Sequence, residues 1–534
     1  MARVLGCVLW GVEGRPVDVE VDVSAGVPVF DVVGLGAPAA RGLRQRVRAA
    51  LRNSGFPFPL RRVTVSLSAM GGGEEPEALD LPVALGVLAA SGRLPAKSLE
   101  PRMAVGGLSL GGEARPVRGA LALALAAGRL GRRLVLPAAC APEAGLAEGL
   151  ELEPVGSLAQ AVRLLGGAPP EGGWPGEPCP GQPPAEASGA PPWADAAWGG
   201  GTPGREEDLS EVRGLSAARR AVEVAAAGGH HLLLVGPPGV GKTMLCRRLV
   251  GLLPPLSPPE ALEVACIWGA MGGLTAGHAL PRRRPFRAPH HSCSVRALVG
   301  GWSGDRPRPG ELTLAHRGVL FLDELSGFEP AALAALRRPL EEGRILLAGA
   351  AGGASLPARV LLVAAMNPCP CGHRGDPLHP CACTPGQVRR HLGRVGGPLL
   401  DRLDLQLEVA RPSLAEAEGG PPPEPSAAVR DRVARARGVQ ARRSEAAGLG
   451  GLLNGELSGS LVERFCRPDR TGAALLAAAF ERLGLSLRAR DGVLRVARTI
   501  ADLEGWEGEL RPSDLAEALQ YRCLDRGLAG AGEG

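Results

Sequence analysis

Gly236-Pro237-Pro238-Gly239-Val240-Gly241-Lys242-Thr243 fits the pattern GxxxxGK followed by Ser or Thr, the spacing that cradles a phosphate chain. Glycines in such a loop let backbone N–H groups turn toward phosphates with no Cβ in the way, and a following helix adds its dipole. Lys242 is then placed to reach the β- and γ-phosphates of ATP, and Thr243 to ligate Mg2+. The flanks agree. His230-His231-Leu232-Leu233-Leu234-Val235 reads as a short buried strand, and residues 244–253 read as a helix. Lysine usage sharpens the reading: Lys97 and Lys242 are the two lysines among 60 basic residues. A lysine kept against so strong a preference for Arg is expected where a compact ammonium does what a guanidinium cannot.

A second run, Gly318-Val319-Leu320-Phe321-Leu322-Asp323-Glu324, is an apolar strand ending in two carboxylates about 80 residues after the loop. Asp323 would hold Mg2+ through its waters, and Glu324 would polarise an attacking water. A third strand at 359–366 ends in Asn367, which is placed to orient that water or to read the γ-phosphate. Taken alone, an Asn before Pro368 is a turn residue; its order after the first two motifs gives it the other meaning. Downstream, Cys369-x-Cys371 and Cys381-x-Cys383 put four thiols within 15 residues, with His373 and His379 between them. Four thiolates so spaced can close tetrahedrally on Zn2+. The alternative is reduced thiols in a Pro-rich loop without metal.

These residues need a scaffold of several domains, and 534 residues of 54.8 kDa supply it. Residues 1–166 alternate strands and helices as an α+β domain. Period-two alternation marks 17–23 as a strand, 61–67 reads as another, and 39–53, 80–90 and 117–127 read as helices. In the linker 167–207, Gly and Pro make up 20 of the 39 residues 167–205, too polar and broken a stretch to fold alone. It bears Trp174, Trp193 and Trp198, incidental aromatics or a docking segment. Residues 208–412 carry the nucleotide motifs, and 426–528 read as helical. No run of 18 uncharged apolar residues exists, so no membrane partner is expected, and the N-terminus lacks the form of a signal peptide. Twelve cysteines in so long a chain fit a reducing cytoplasm better than a disulfide scaffold.

Net charge is +5, which permits an acidic partner without requiring one. Arginines cluster at Arg41, Arg44, Arg46, Arg48 and Arg52, at Arg282-Arg283-Arg284 and Arg287, and at Arg430, Arg432, Arg435, Arg437, Arg442 and Arg443. Each run is a solvated basic face or a surface that contacts DNA phosphates without reading sequence. A hairpin-like segment at 344–355 is a further pore-element candidate.

The ordered set Pro285-Phe286-Arg287-Ala288-Pro289-His290-His291, Pro309-Gly310-Glu311-Leu312-Thr313-Leu314-Ala315-His316, Met366-Asn367-Pro368-Cys369-Pro370-Cys371-Gly372 and Gly397-Pro398-Leu399-Leu400-Asp401-Arg402-Leu403-Asp404 resembles the YifB/ComM proteins, bacterial AAA+ ATPases related to the magnesium-chelatase motor subunit. The resemblance runs nearly end to end. It implies an α/β chain with a Lon-like (S5 domain 2-like) α+β N-terminal domain, an AAA+ P-loop NTPase core and a helical C-terminal domain. It also implies a homo-oligomeric ring, usually hexameric, with ATP at subunit interfaces. Asn367 then matches the sensor-1 position, Arg402 the arginine finger and Arg488 the sensor-2 position. For Arg402 the competing reading is an internal ion pair with Asp401 or Asp404. Around Arg488, Leu487, Arg490 and Gly492 depart from the family pattern, as does Gly71-Gly72-Gly73-Glu74-Glu75 in the first domain.

The function so implied is an ATP-driven motor that remodels DNA, as ComM-type branch-migration helicases do. The alternatives are a chelatase-type motor subunit coupling ATP to metal insertion, and a regulatory module that binds ATP without turning it over; the intact Asp323-Glu324 pair speaks against the second. A Lon-like fold also raises a peptidase with a Ser–Lys dyad, which would have to use Lys97.

Overall fold

The alternation at 17–23 becomes the strand Glu13–Ser24, in which Val17, Val19 and Val21 are buried while Asp22 faces solvent. It pairs antiparallel with Ala2–Trp10, closing on a tight turn where Trp10 faces Glu13. In this computed structural model, residues 1–534 are described apart from 69–75, 172, 175–206, 275–278, 305, 350–351, 414–415, 417–421 and 525–534. The loop at 71–75 and most of the linker, with Trp193 and Trp198, lie outside the described residues. Trp174 is described, with the Arg163 guanidinium 4.8 Å from its ring centre.

Seven strands form the first sheet, in the order Phe30–Val33, Arg62–Leu67, Glu13–Ser24, Ala2–Trp10, Arg102–Ala104, Arg133–Pro137 and Leu152–Val155. The Arg-studded helix Ala37–Asn53 turns Leu43, Val47, Ala50 and Leu51 onto this sheet, the i, i+4, i+7, i+8 stripe of an amphipathic helix. The helix read at 117–127 begins later, at Ala120–Arg129, because Gly119 precedes it with φ +66°, outside helical geometry.

The second sheet has five parallel strands, ordered Phe286–Arg287, Val319–Leu322, Leu361–Met366, Leu232–Val235 and Leu405–Glu408. The middle three are buried at every residue, as strands covered on both faces must be. Register does the positioning. Val235 pairs with Met366, and Leu322 with Ala364, so Gly236, Asp323 and Asn367 emerge together at the carboxyl edge. That edge is where open α/β sheets take their ligands.

Helices Ser426–Ala446, Arg470–Leu483, Leu487–Leu503 and Pro512–Gln520 share one apolar core with this sheet, Val433, Val493 and Leu515 packing with Leu232, Val363 and Leu405. A buried polar knot pins them. His230 Nδ1 lies 2.9 Å from Asp404, its Nε2 lies 2.7 Å from the Thr499 hydroxyl, and Arg495 donates to Asp404 at 2.6 Å. Burial and hydrogen bonding place these charges where removing one partner would strand the other.

The two sheet systems meet along the helix Pro258–Ala270. Its Ala265 and Cys266 pack with Leu121, Ala122 and Ala126, and the Gly119 N–H donates to the Gly269 carbonyl at 3.2 Å. The segment read as hairpin-like is a two-stranded ribbon, Arg344–Gly349 with Gly352–Pro357. Trp10 reaches it from the first sheet: its indole N–H donates to Gly353, and its ring lies 5.8 Å from Trp302, whose own N–H donates to Ala348.

Candidate nucleotide site

Gly236 follows its strand so closely against Val409 that a Cβ there would lie 2.3 Å from the Val409 carbonyl oxygen. Gly239 and Gly241 have φ +78° and +93°, a conformation that side chains with a Cβ resist. The loop therefore depends on its glycines, and Gly241 caps the helix Lys242–Leu249. Lys242 is buried. Its ammonium donates to the carbonyls of Gly236 at 2.6 Å and Pro237 at 2.8 Å, and approaches Asn367 Oδ1 at 3.4 Å. Burial holds its pKa below the ordinary lysine value, against the pull of the Asp323 carboxylate.

The Thr243 hydroxyl donates to Asp323 Oδ2 at 2.8 Å, while Asp323 Oδ1 accepts the Glu324 N–H at 2.9 Å. Thr243 and Asp323 are thus paired as a hard oxygen set, the donor chemistry Mg2+ prefers. Glu324 itself has φ +51°. Among the described residues Arg317 and Glu324 are the two non-glycines with positive φ, a conformation that costs on the order of 1–3 kcal/mol and concentrates at functional sites. Its side chain is 65% exposed and lies 3.3 Å from His291 Nδ1. Between loop and carboxylates lies a cavity of about 390 Å3 lined by Gly239, Lys242, Thr243, Asp323, Glu324 and Asn367. Its size, buried ammonium and oxygen pair fit a nucleoside triphosphate with Mg2+.

Arg402 and Arg488 lie elsewhere. Arg402 precedes the amino end of Leu405–Glu408, the opposite end of the sheet from the phosphate loop. Its guanidinium pairs with Glu341, near the end of the helix Pro330–Glu342, and Arg488 joins the same carboxylate oxygen at 2.8 Å. Neither arginine lines the cavity of its own chain. The partner of Arg402 is Glu341 rather than Asp401 or Asp404, and Asp404 is taken by His230 and Arg495. Sequence reasoning missed Glu341 and His291. Neither stands at a fixed distance from the residue it meets, although His291 lies within a motif that carried the resemblance.

The cysteines come together. Cys369 Sγ lies 3.4 Å from Cys371 and 3.6 Å from Cys381, Cys371 and Cys381 are 3.6 Å apart, and Cys383 falls in the same cluster. The backbone N–H of His373, then Cys369, stabilises the Cys371 thiolate, lowering its pKa to about 6. His373 and His379 instead face Asp376, at 3.3 and 3.2 Å. Among the described residues every cysteine is a free thiol.

Several basic runs are consumed internally. Arg430 donates to Gly251, Arg432 pairs with Glu223 and Glu424, Arg437 donates to Ala226, and Arg443 pairs with Asp502. Arg46 is held by Asp80, Arg284 by Glu260 and Arg287 by Glu311. Arg435 and Arg442 are exposed. Lys97 is also exposed, and Ser98 beside it donates its hydroxyl to Pro95, so no Ser–Lys pair forms there. No helix among the described residues is long and apolar enough to cross a membrane.

Comparison with known proteins agrees with this geometry. Residues 208–417 match the family described as magnesium chelatase, subunit ChlI; 423–522 match its C-terminal family, and 19–140 match subunit ChlI of Mg-chelatase. The chain is 44% identical over 528 residues to a protein of Mycobacterium tuberculosis, covering 98% of both. It is 40% identical to the YifB protein of Escherichia coli and to the competence protein ComM of Haemophilus influenzae, in each case over 97% of this chain and 96% of the relative. A match of this extent, together with the parallel sheet and its phosphate loop, establishes that the chain belongs to the YifB/ComM family of magnesium-chelatase-like AAA+ ATPases.

Proposed function

We propose that the chain hydrolyses ATP in a homo-oligomeric, hexameric ring and uses the energy to remodel DNA in the cytoplasm, as a ComM-like branch-migration helicase. The supporting observation is the convergence of Lys242, Thr243, Asp323, Glu324 and Asn367 on one cavity. Its components divide as a Lon-like first domain (1–166), an AAA+ core (208–412) and a helical third domain (426–528). Bound Mg2+ would neutralise phosphate charge between Thr243 and Asp323. Lys242 would swing from the Gly236 and Pro237 carbonyls to the β- and γ-phosphates. Glu324 takes the proton of the attacking water, Asn367 orients that water, and the Pro237–Val240 backbone holds the phosphate chain. Arg402 serves the neighbouring subunit's site, where its charge stabilises the transferring phosphoryl group, with Arg488 beside it.

The DNA part rests on the relation to a competence protein and on a cavity of about 570 Å3 in the C-terminal helices, lined by five arginines and by Glu507 and Glu509, in which Arg467 pairs with Glu509 while Arg442 and Arg464 are exposed. Phosphate contacts of this kind weaken steeply with salt. Turnover measured with no DNA, single strands, duplex and a branched junction, across salt, tests the reading: stimulation by the junction that fades as salt rises is expected. Stimulation by a chelatase partner instead of any DNA would select the metal-insertion motor. Lys242→Ala should abolish nucleotide binding and phosphate release; undiminished activity would defeat the whole assignment. The remaining cofactor assigned is zinc, in the four-cysteine loop.

A further inference from the structure

Cys369 is fully buried, and it heads a loop that returns on itself through Cys371, Cys381 and Cys383. Its sulfur separations of 3.4–3.6 Å are far beyond the roughly 2.05 Å of a disulfide. They approach the roughly 3.8 Å edge of a tetrahedron built with Zn–S bonds of about 2.3 Å. Four thiolates leave no open coordination position, the mark of a structural rather than a catalytic ion. An iron–sulfur cluster would distribute its thiolates over separate irons, further apart than these.

The loop is fastened to the nucleotide site at three points. Asn367, two residues before Cys369, approaches Lys242 through its amide oxygen, at 3.4 Å. Its carbonyl accepts the His391 Nε2–H at 2.9 Å. His391 lies on Pro385–Gly393, a helix that starts directly after Cys383 with a Thr384–Gln387 capping box. Gly372, with φ +84°, lies so close to the phosphate loop that a Cβ there would stand 3.1 Å from Pro238 Cδ. Whatever joins the cysteines therefore sets the seat of Asn367 from both sides.

We propose that Cys369, Cys371, Cys381 and Cys383 hold one zinc ion, and that this ion is the staple that keeps Asn367 and Gly372 seated against the phosphate loop. The metal assignment stands on the thiols alone; its effect on turnover rests on the ATPase reading above. His373 and His379 face Asp376, which also takes Arg411 at 3.4 Å, and form a group separate from the four thiols, so the four-thiolate ion does not use them.

Full-length protein purified without chelators should carry one zinc per chain by elemental analysis. A mercurial thiol reagent should release it, and cobalt substitution should give the charge-transfer bands of tetrahedral thiolate. Cys381→Ser with Cys383→Ser should lose the zinc, while His379→Gln should keep it. Zinc-free protein should bind a non-hydrolysable ATP analogue within about threefold of normal, yet turn ATP over at least about tenfold more slowly, the cost of a misplaced polar group. If the double variant does not fold, wild type stripped and then reloaded with zinc gives the same comparison. Protein without zinc, with iron in its place, or with zinc lost in His379→Gln would overturn the four-thiolate site. Normal turnover without zinc would overturn the staple. A zinc-loaded wild type that hydrolyses no ATP would defeat the ATPase reading and leave the metal standing; the staple is then read by hydrogen exchange at residues 367–372, which must quicken on zinc removal.

Discussion

Glu324 is held by two neighbours of different kinds. Its backbone is left-handed with its N–H donating to Asp323, while its exposed carboxylate leans on His291. Backbone and side chain therefore have separate tests. Glu324→Gln should keep ATP binding and lose turnover by about 100-fold or more, the usual worth of a positioned general base, as read by analogue binding beside phosphate release. His291→Ala removes only the lateral support. It should lower kcat by roughly tenfold with KM little changed, since His291 positions Glu324 without lining the cavity. Lys242, Thr243 and Asp323 were legible in the sequence because their chemistry fixes their spacing along one strand–loop–helix unit and one strand end. His291 and Glu341 were not, because each meets its partner across folds of chain whose length no chemistry dictates.

Among the elements, the helix Pro258–Ala270 carries a clamp at the entry to the Asp323 strand. Glu263 accepts from His316 Nε2 at 3.0 Å and from Arg317 Nε at 2.7 Å, and His316 Nδ1 in turn accepts the Arg359 N–H at 3.0 Å. Arg317 is the other non-glycine with positive φ, so the clamp holds a strained turn just before Val319–Leu322. His316 first, and Arg317 after it, lower the Glu263 pKa from 4.5 to about 2. Below the ordinary value the unfolded state binds the proton more readily than the folded one, so this stabilisation is complete above about pH 4.5 and is lost as pH falls toward 2. The melting temperature of the wild type should therefore drop between about pH 5 and about pH 2, and Glu263→Gln should flatten that slope in a thermal-shift series. The strands and most helices followed from Val, Leu and Ala periodicity. The arginine runs were harder to read: Arg430 and Arg437 donate to carbonyls of other elements, Gly251 and Ala226, and nothing in a row of guanidinium groups tells an inward one from a solvated one.

Taken whole, the subunit has its phosphate loop at one end of the core sheet and Arg402 at the other, so the proposed role of Arg402 would have to be played at a neighbouring subunit's site. Lys242→Ala and Arg402→Ala proteins, each inactive alone, should regain part of the turnover when mixed, because some interfaces then pair an intact loop with an intact arginine; an arginine finger is worth roughly 10³-fold or more in rate. No recovery in assemblies that demonstrably exchange subunits would place Arg402 outside the chemistry. The seam between the first sheet and the Arg344–Gly349 ribbon has a different consequence. Trp10 donates to Gly353 while Trp302 donates to Ala348, and the two indoles meet at a tilt of 59° across the boundary. Under the proposed motor function, a stroke that lifted this ribbon would either part the rings or drag the N-terminal sheet along as ballast. In a variant keeping only Trp10 and Trp302 of the seven tryptophans, emission would report which of the two happens.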